Sequence, residues 1–195
     1  NHKDINKIAF TGSTQVGKLI QKSLAGRDVG LTLELGGKAA NIVYEDAAID
    51  QAVEGVVNGI FFNQGHVCCA GSRLLLQESI HDQFVKKLEK RMQSLRVGNP
   101  LDKNTDIGAI NSKEQLDKIT SLVNEGVEDG GELFQTQCDL PGNGFWFRPS
   151  LFTNVQPSYS IAREEIFGPV LTTLTFRTPE EAVEIANNTE YGLSA

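Results

Sequence analysis

Ile5-Asn6-Lys7-Ile8-Ala9-Phe10-Thr11-Gly12-Ser13-Thr14-Gln15-Val16-Gly17-Lys18-Leu19-Ile20 opens on an apolar run, turns at residues 11–14, and continues with Val16, Leu19, Ile20 and Leu24 at helical spacing as far as Gly26. An apolar run, a Gly-Ser turn and a helical repeat in that order read as strand, tight turn and helix. A second short apolar run over residues 31–35 ends in Gly36-Gly37, and a third over residues 40–43 precedes Glu45-Asp46. Three strands around one helix predict an α/β sheet.

Further along, Ala52, Val53, Val56, Val57, Ile60 and Phe61 follow the i, i+3, i+4, i+7 rule from Ile49, with Asp46 as the expected cap. The helix runs into residues 63–72, Asn-Gln-Gly-His-Val-Cys-Cys-Ala-Gly-Ser, which are too small and polar for a core. A strand over residues 74–77 and a second amphipathic helix (Ile80, Phe84, Val85, Leu88, Met92, Leu95) follow. That loop is therefore held between rigid elements, where functional groups are commonly placed. Beyond Asn99-Pro100 the spacing predicts a helix around Leu116 to Val123, then a Gly-rich connection or hairpin over residues 126–144. Strands over residues 145–155 and 169–176 and a last helix over residues 179–187 complete the pattern.

The 195 residues suit one domain, or one domain and part of a second. Eighteen basic against 25 acidic residues leave a net charge of −7, and no Lys/Arg block is long enough to follow a phosphate backbone, so nucleic acid is disfavoured as a partner. No apolar run reaches the ~18 residues of a membrane span, and residues 1–7 lack the apolar centre of a signal peptide. Cys68, Cys69 and Cys138 make neither a disulfide framework nor a zinc spacing, which fits a reducing compartment, the cytoplasm or the mitochondrial matrix. No metal site is expected. The first residue, Asn1, and the end at Ala195 within a pattern mark the chain as an expected fragment.

Three features could carry chemistry. Gly12, Gly17 and Lys18 match the phosphate-loop pattern G-x-x-x-x-G-K, but Leu19 stands where that motif needs a hydroxyl for magnesium, so ATP hydrolysis is disfavoured. The Gly12-Ser13 turn is then either a plain turn or a helix N-terminus that offers amides to a nucleotide phosphate. Glu34, between Leu33 and Leu35, is either a structural or outward-facing carboxylate or a desolvated general base. Cys68 is either an inert buried thiol or a nucleophile in an accessible loop; its neighbour Cys69 is expected to be the inert one. A Cys–His dyad with His66 is disfavoured, because i, i+2 spacing in an irregular loop does not bring side chains together.

Together, Phe10-Thr11-Gly12-Ser13-Thr14 with Gly17, Leu33-Glu34-Leu35-Gly36-Gly37-Lys38, Phe61-Phe62-Asn63-Gln64-Gly65 through Cys68-Cys69-Ala70-Gly71-Ser72-Arg73, and Glu164-Glu165-Ile166-Phe167-Gly168-Pro169-Val170 resemble the aldehyde dehydrogenase superfamily in order and spacing. Residues 73–79 with Arg91-Met92 and Leu95-Arg96 look closest to its family 16. The resemblance implies a three-layer α/β/α catalytic domain over residues 37–195, incomplete at its C-terminus, preceded in residues 1–36 by the tail end of a Rossmann-like cofactor domain. It also implies NAD or NADP as cofactor, a small-molecule aldehyde as substrate, Cys68 as nucleophile and Glu34 as general base. Gly12, Ser13, Thr14, Gly17 and Leu35 would face the cofactor; Glu165 and Phe167 would hold its nicotinamide ribose and ring, with Gln115 and Lys118 also at the ribose. Val67 is a departure from the usual polar residue or Cys.

By the same resemblance the full-length protein is a homo-oligomer, and the oxyanion-hole amide and the NAD/NADP selector lie upstream of Asn1. Aldehyde oxidation through a thiohemiacetal and a thioester on Cys68 is the implied reaction. The alternative is a catalytically silent scaffold for protein interaction. The isolated fragment is expected to be inactive.

Overall fold

The computed structural model describes residues 2–195. The architecture is α/β, built on two separate sheets. β1 (Lys7–Thr11) and β2 (Gly30–Glu34) form a parallel pair with Thr11 opposite Glu34, joined through α1 (Thr14–Ser23). Ser13 caps α1, its hydroxyl accepting from Val16 N at 3.3 Å, which satisfies one of the amides a helix start leaves unpaired.

β3 (Ala40–Val43) does not extend that pair, as three strands around one helix had suggested; it forms the edge of a five-stranded sheet. β4 (Arg73–Gln77), β5 (Glu132–Gln135), β6 (Ser150–Thr153) and β7 (Val170–Phe176) complete this sheet in the order β3-β4-β7-β6-β5, with only β5 antiparallel to its neighbour. The switch between sheets occurs at Gly36-Gly37, where a Cβ on Gly37 would lie 2.3 Å from the Cys68 carbonyl oxygen. Only a bare backbone passes there.

Helices cover both faces of the large sheet. On one side α2 (Ile49–Phe61) and α3 (His81–Met92) bury Val53, Val57, Ile60, Phe84, Leu88 and Met92 against Leu74 and Leu76 of β4, Leu151 and Leu171. On the other, α4 (Lys113–Glu128) and the short α5 (Ser160–Arg163) pack Ile119, Val123 and Ile161 on Phe152 and Val170, while α6 (Pro179–Asn187) packs Ala182 near Leu75, Leu174 and Phe176. Successive strand residues thus enter opposite cores, giving the three layers. Salt bridges Arg91–Glu54 and Lys87–Asp50 join α2 and α3 at the surface, where such pairs contribute about 0–1 kcal/mol.

Three local expectations are corrected. Asp46 does not cap α2; Ala48 occupies that position without a side-chain bond. Gly126 does not end α4, which runs to Glu128; a Cβ there would come within 3.1 Å of Ile161 and Phe152, so the glycine permits close packing rather than a stop. The Gly-rich connection contains β5, and the strand expected from residue 145 begins at Ser150, after Trp146 has turned its indole N–H onto the Asn143 carbonyl at 2.7 Å. Among the described residues no helix is long and apolar enough to cross a membrane.

Candidate active site

The cysteine loop is built on left-handed backbone. After α2 ends, Asn63 (φ 49°), Gln64 (φ 59°) and Gly65 (φ 72°) follow one another in the left-handed region, a costly arrangement for the two non-glycine residues. Compensation comes from both side chains: Asn63 Nδ2 donates to the His66 carbonyl at 3.2 Å, and Gln64 Oε1 accepts from Gly108 N at 2.9 Å. A Cβ on Gly65 would fall 2.1 Å from the Gly168 carbonyl oxygen, so this turn lies directly against the loop before β7. The chain then makes a second turn, closed by Ala70 N donating to the Val67 carbonyl at 3.0 Å, with Cys68 and Cys69 at its two central positions. The Cys68 N–H donates no hydrogen bond among the described residues.

That turn faces a cavity of about 240 Å³ lined by Thr11, Gly12, Ser13, Leu35, Gly36, Cys68, Gln115, Lys118, Glu165 and Phe167. Residues as far apart as 11 and 167 meet because the ends of β1 and β2, the cysteine turn and the loop before β7 converge at one place. Glu165 reaches across the sheet switch, its Oε1 accepting from Gly37 N at 3.0 Å. A Cβ on Gly36 would sit 2.5 Å from the other carboxylate oxygen. Gln115 Nε2 donates to the carbonyls of Ile166 (2.8 Å) and Phe167 (3.0 Å), and Lys118 Nζ to that of Glu165 (2.7 Å). These donors hold the 165–167 loop from α4, and Phe167 adopts φ 55° within it.

Of the anticipated residues, Gly12, Ser13, Leu35, Cys68, Gln115, Lys118, Glu165 and Phe167 share this cavity wall. Thr14 and Gly17 do not: Thr14 opens α1, and Gly17 is buried beneath Leu35, whose Cδ2 a Cβ would approach to 2.5 Å. Glu34 is not brought to the wall either; its side chain is exposed at the end of β2 and makes no hydrogen bond or ion pair among the described residues. Cys69, expected to be buried, is exposed, while Cys68 is half-buried, because the second turn points them in different directions.

Three residues of this region carried no site role in the sequence reading: Thr11 and Lys38 stood only within the quoted stretches, and His66 only as a disfavoured partner for Cys68. Lys38 is buried (2 % exposed) with Nζ donating to the Ile161 carbonyl at 3.0 Å, and burial, with Arg73 nearby, pushes its pKa down to about 7 despite Glu164 and Glu165. Its place at the end of the Leu33–Lys38 stretch marked it in the sequence, but no local pattern indicated its burial. His66 stacks on Phe167; burial lowers its pKa, and the Phe167 backbone offsets part of that. Among the described residues no group of three or more His, Cys, Asp or Glu is arranged to hold a metal ion.

The profile of the Aldehyde dehydrogenase family matches residues 1–195. Retinal dehydrogenase 2 of Taeniopygia guttata is 48 % identical over 197 aligned residues, which cover 100 % of this chain and 38 % of that protein. Among solved structures, the NAD-dependent aldehyde dehydrogenase of Sinorhizobium meliloti superposes with a TM-score of 0.92 at 41 % identity, over 98 % of this chain and 38 % of that one. The NAD+ complex of an aldehyde dehydrogenase from Bacillus cereus does so at 0.93 and 38 %, over 98 % and 39 %. The chain thus spans under two-fifths of the length of these relatives.

Proposed function

The chain belongs to the aldehyde dehydrogenase family, and from that membership we propose that the full-length protein oxidises an aldehyde to its carboxylic acid with NAD+ or NADP+ as electron acceptor. The observation that carries the proposal is the single cavity shared by Cys68, the Gly12-Ser13 turn, Leu35, Glu165 and Phe167. The residues fit one end of a dinucleotide: bare glycine backbone at 12 and 36, an apolar side chain at 35, an aromatic ring at 167, and a carboxylate whose second oxygen is available to a ribose hydroxyl. When bound there the cofactor supplies a two-electron acceptor for the hydride lost by the substrate carbon.

Cys68 is the proposed nucleophile. Its thiolate adds to the aldehyde carbon, and the oxyanion so formed accepts from the Cys68 N–H, which no other acceptor engages among the described residues. Loss of hydride from that adduct leaves a thioester on Cys68. Glu34 is the proposed base for its hydrolysis, taking a proton from the water that attacks the acyl carbon while the thiolate leaves. The carboxylate is unbonded and one residue from Leu35 in the cavity wall, so side-chain rotation is what would carry it toward the acyl group. Gln115 and Lys118 would act on the cofactor chiefly through the carbonyls they hold.

The partition of strands supports reading residues 1–36 as the end of a dinucleotide-binding domain and 37–195 as the thiol-bearing domain. Leu19, 61 % exposed on α1, and the exposed Val16 beside it suit burial in a homo-oligomer. The test is the full-length protein assayed with NAD+ and NADP+ against a panel of aldehydes, beside Cys68→Ser and Cys69→Ser. Cys68→Ser should lose turnover by at least ~10³-fold and Cys69→Ser should retain it. An unaffected Cys68→Ser would overturn the assignment; cofactor binding without turnover of any aldehyde would favour a silent scaffold.

A further inference from the structure

We propose that His66 is a positioning residue that sets the Phe167 ring against the cofactor, an inference that rests on the reading of Phe167 as part of the nicotinamide wall. The two rings lie nearly parallel, 6° apart with centroids at 5.2 Å, an offset stack. Phe167 needs such a partner: a bulky residue at φ 55° is held in an unfavourable backbone conformation and keeps it only where its surroundings dictate it. The backbone beneath is equally tight, since Gly65 abuts the Gly168 carbonyl. His66 is therefore the side-chain half of a contact joining the cysteine turn to the loop that carries Glu165 and Phe167.

The polar atoms of His66 are only loosely engaged, by Asn111 and by the Phe167 backbone. Nε2 accepts a long bond, 3.3 Å, from Asn111 N, which assigns the proton of the neutral ring to Nδ1. Nδ1 is buried and has no hydrogen-bond partner of good geometry among the described residues. A buried donor left this way weakens the fold. What the ring supplies is its flat face, two residues before Cys68 and directly on Phe167.

The test uses the full-length protein and NAD+ itself, with titration calorimetry and steady-state kinetics on His66→Gln and His66→Phe. Glutamine keeps an acceptor for Asn111 but has no ring; phenylalanine keeps the ring without the acceptor. His66→Gln should weaken NAD+ binding about 2- to 10-fold, the range a lost aromatic stack corresponds to, and raise KM for NAD+ with kcat within about twofold. His66→Phe should restore both to within about twofold of wild type. Wild-type NAD+ affinity in His66→Gln, or equal weakening in both variants, would overturn the proposal. If His66→Gln does not fold, His66→Phe decides: retained affinity supports the stack and lost affinity refutes it. Absence of NAD+ binding by the wild-type protein would instead remove the proposed function, and this inference with it.

Discussion

At the scale of single residues, the two groups assigned to chemistry stand in contrasting environments. Cys68 sits half-buried in a turn that follows the strained Asn63-Gln64 backbone, itself held by the side chains of those two residues, whereas Glu34 is exposed and unbonded. A nucleophile must meet the substrate in a fixed geometry, whereas a base that acts only after acylation has to reach the acyl group only at that step. Glu34→Gln in the full-length protein should therefore leave acylation and the first reduction of cofactor intact and slow deacylation by ~10² to 10⁴. Rapid-mixing kinetics should record a burst of reduced cofactor followed by a slow steady state. Wild-type turnover without a burst would remove Glu34 from the mechanism. Sequence alone left this carboxylate open between an inward base and an outward strand residue, because alternation along one short strand does not say which face is covered.

Between elements, the arginine after the cysteine loop does more structural work than its position suggested. Arg73, 4 % exposed at the start of β4, donates from Nε to the Lys38 carbonyl (2.9 Å) and from its two terminal nitrogens to the carbonyls of Ile185 (3.1 Å) and Ala186 (2.8 Å). The last two are in the final turn of α6, where unpaired carbonyls and the negative end of the helix dipole favour a cation. One side chain thus ties β4, the segment before β3 and α6 together beside the site. Arg73→Met should strip all three carbonyls of a donor and destabilise the fold by about 2–4 kcal/mol, read as a lowered denaturation midpoint. A midpoint within ~0.5 kcal/mol of wild type would mean that water replaces the guanidinium there.

Over the molecule as a whole, the buried Lys38 couples stability to pH. Unfolded, this amine keeps its proton up to about 10.5; folded, it releases it near 7. Between those values the unfolded state binds more protons, so this group makes stability rise with pH from about 7 toward 10.5, with no further change below 7. Lys38→Met should flatten that part of the profile, the variant gaining on wild type as pH falls from 10 to 7, apart from a constant cost for the unpaired Ile161 carbonyl. Parallel denaturation profiles over that interval would rule the coupling out. The sequence by itself determined the α/β class, the bounds of β3 and α6, and the cysteine loop between a helix and a strand. These follow from local periodicity and turn chemistry, which a chain carries in consecutive residues. Only the tertiary structure decided that the strands divide into two sheets, that Gly126 lies inside a helix, that Gly17 packs under Leu35, that Glu34 points outward, and that Lys38 and His66 are enclosed. Each depends on which distant surface arrives against a residue, and contacts such as Gly65 with Gly168 or Gly37 with Glu165 join positions more than a hundred residues apart, beyond what any local pattern encodes.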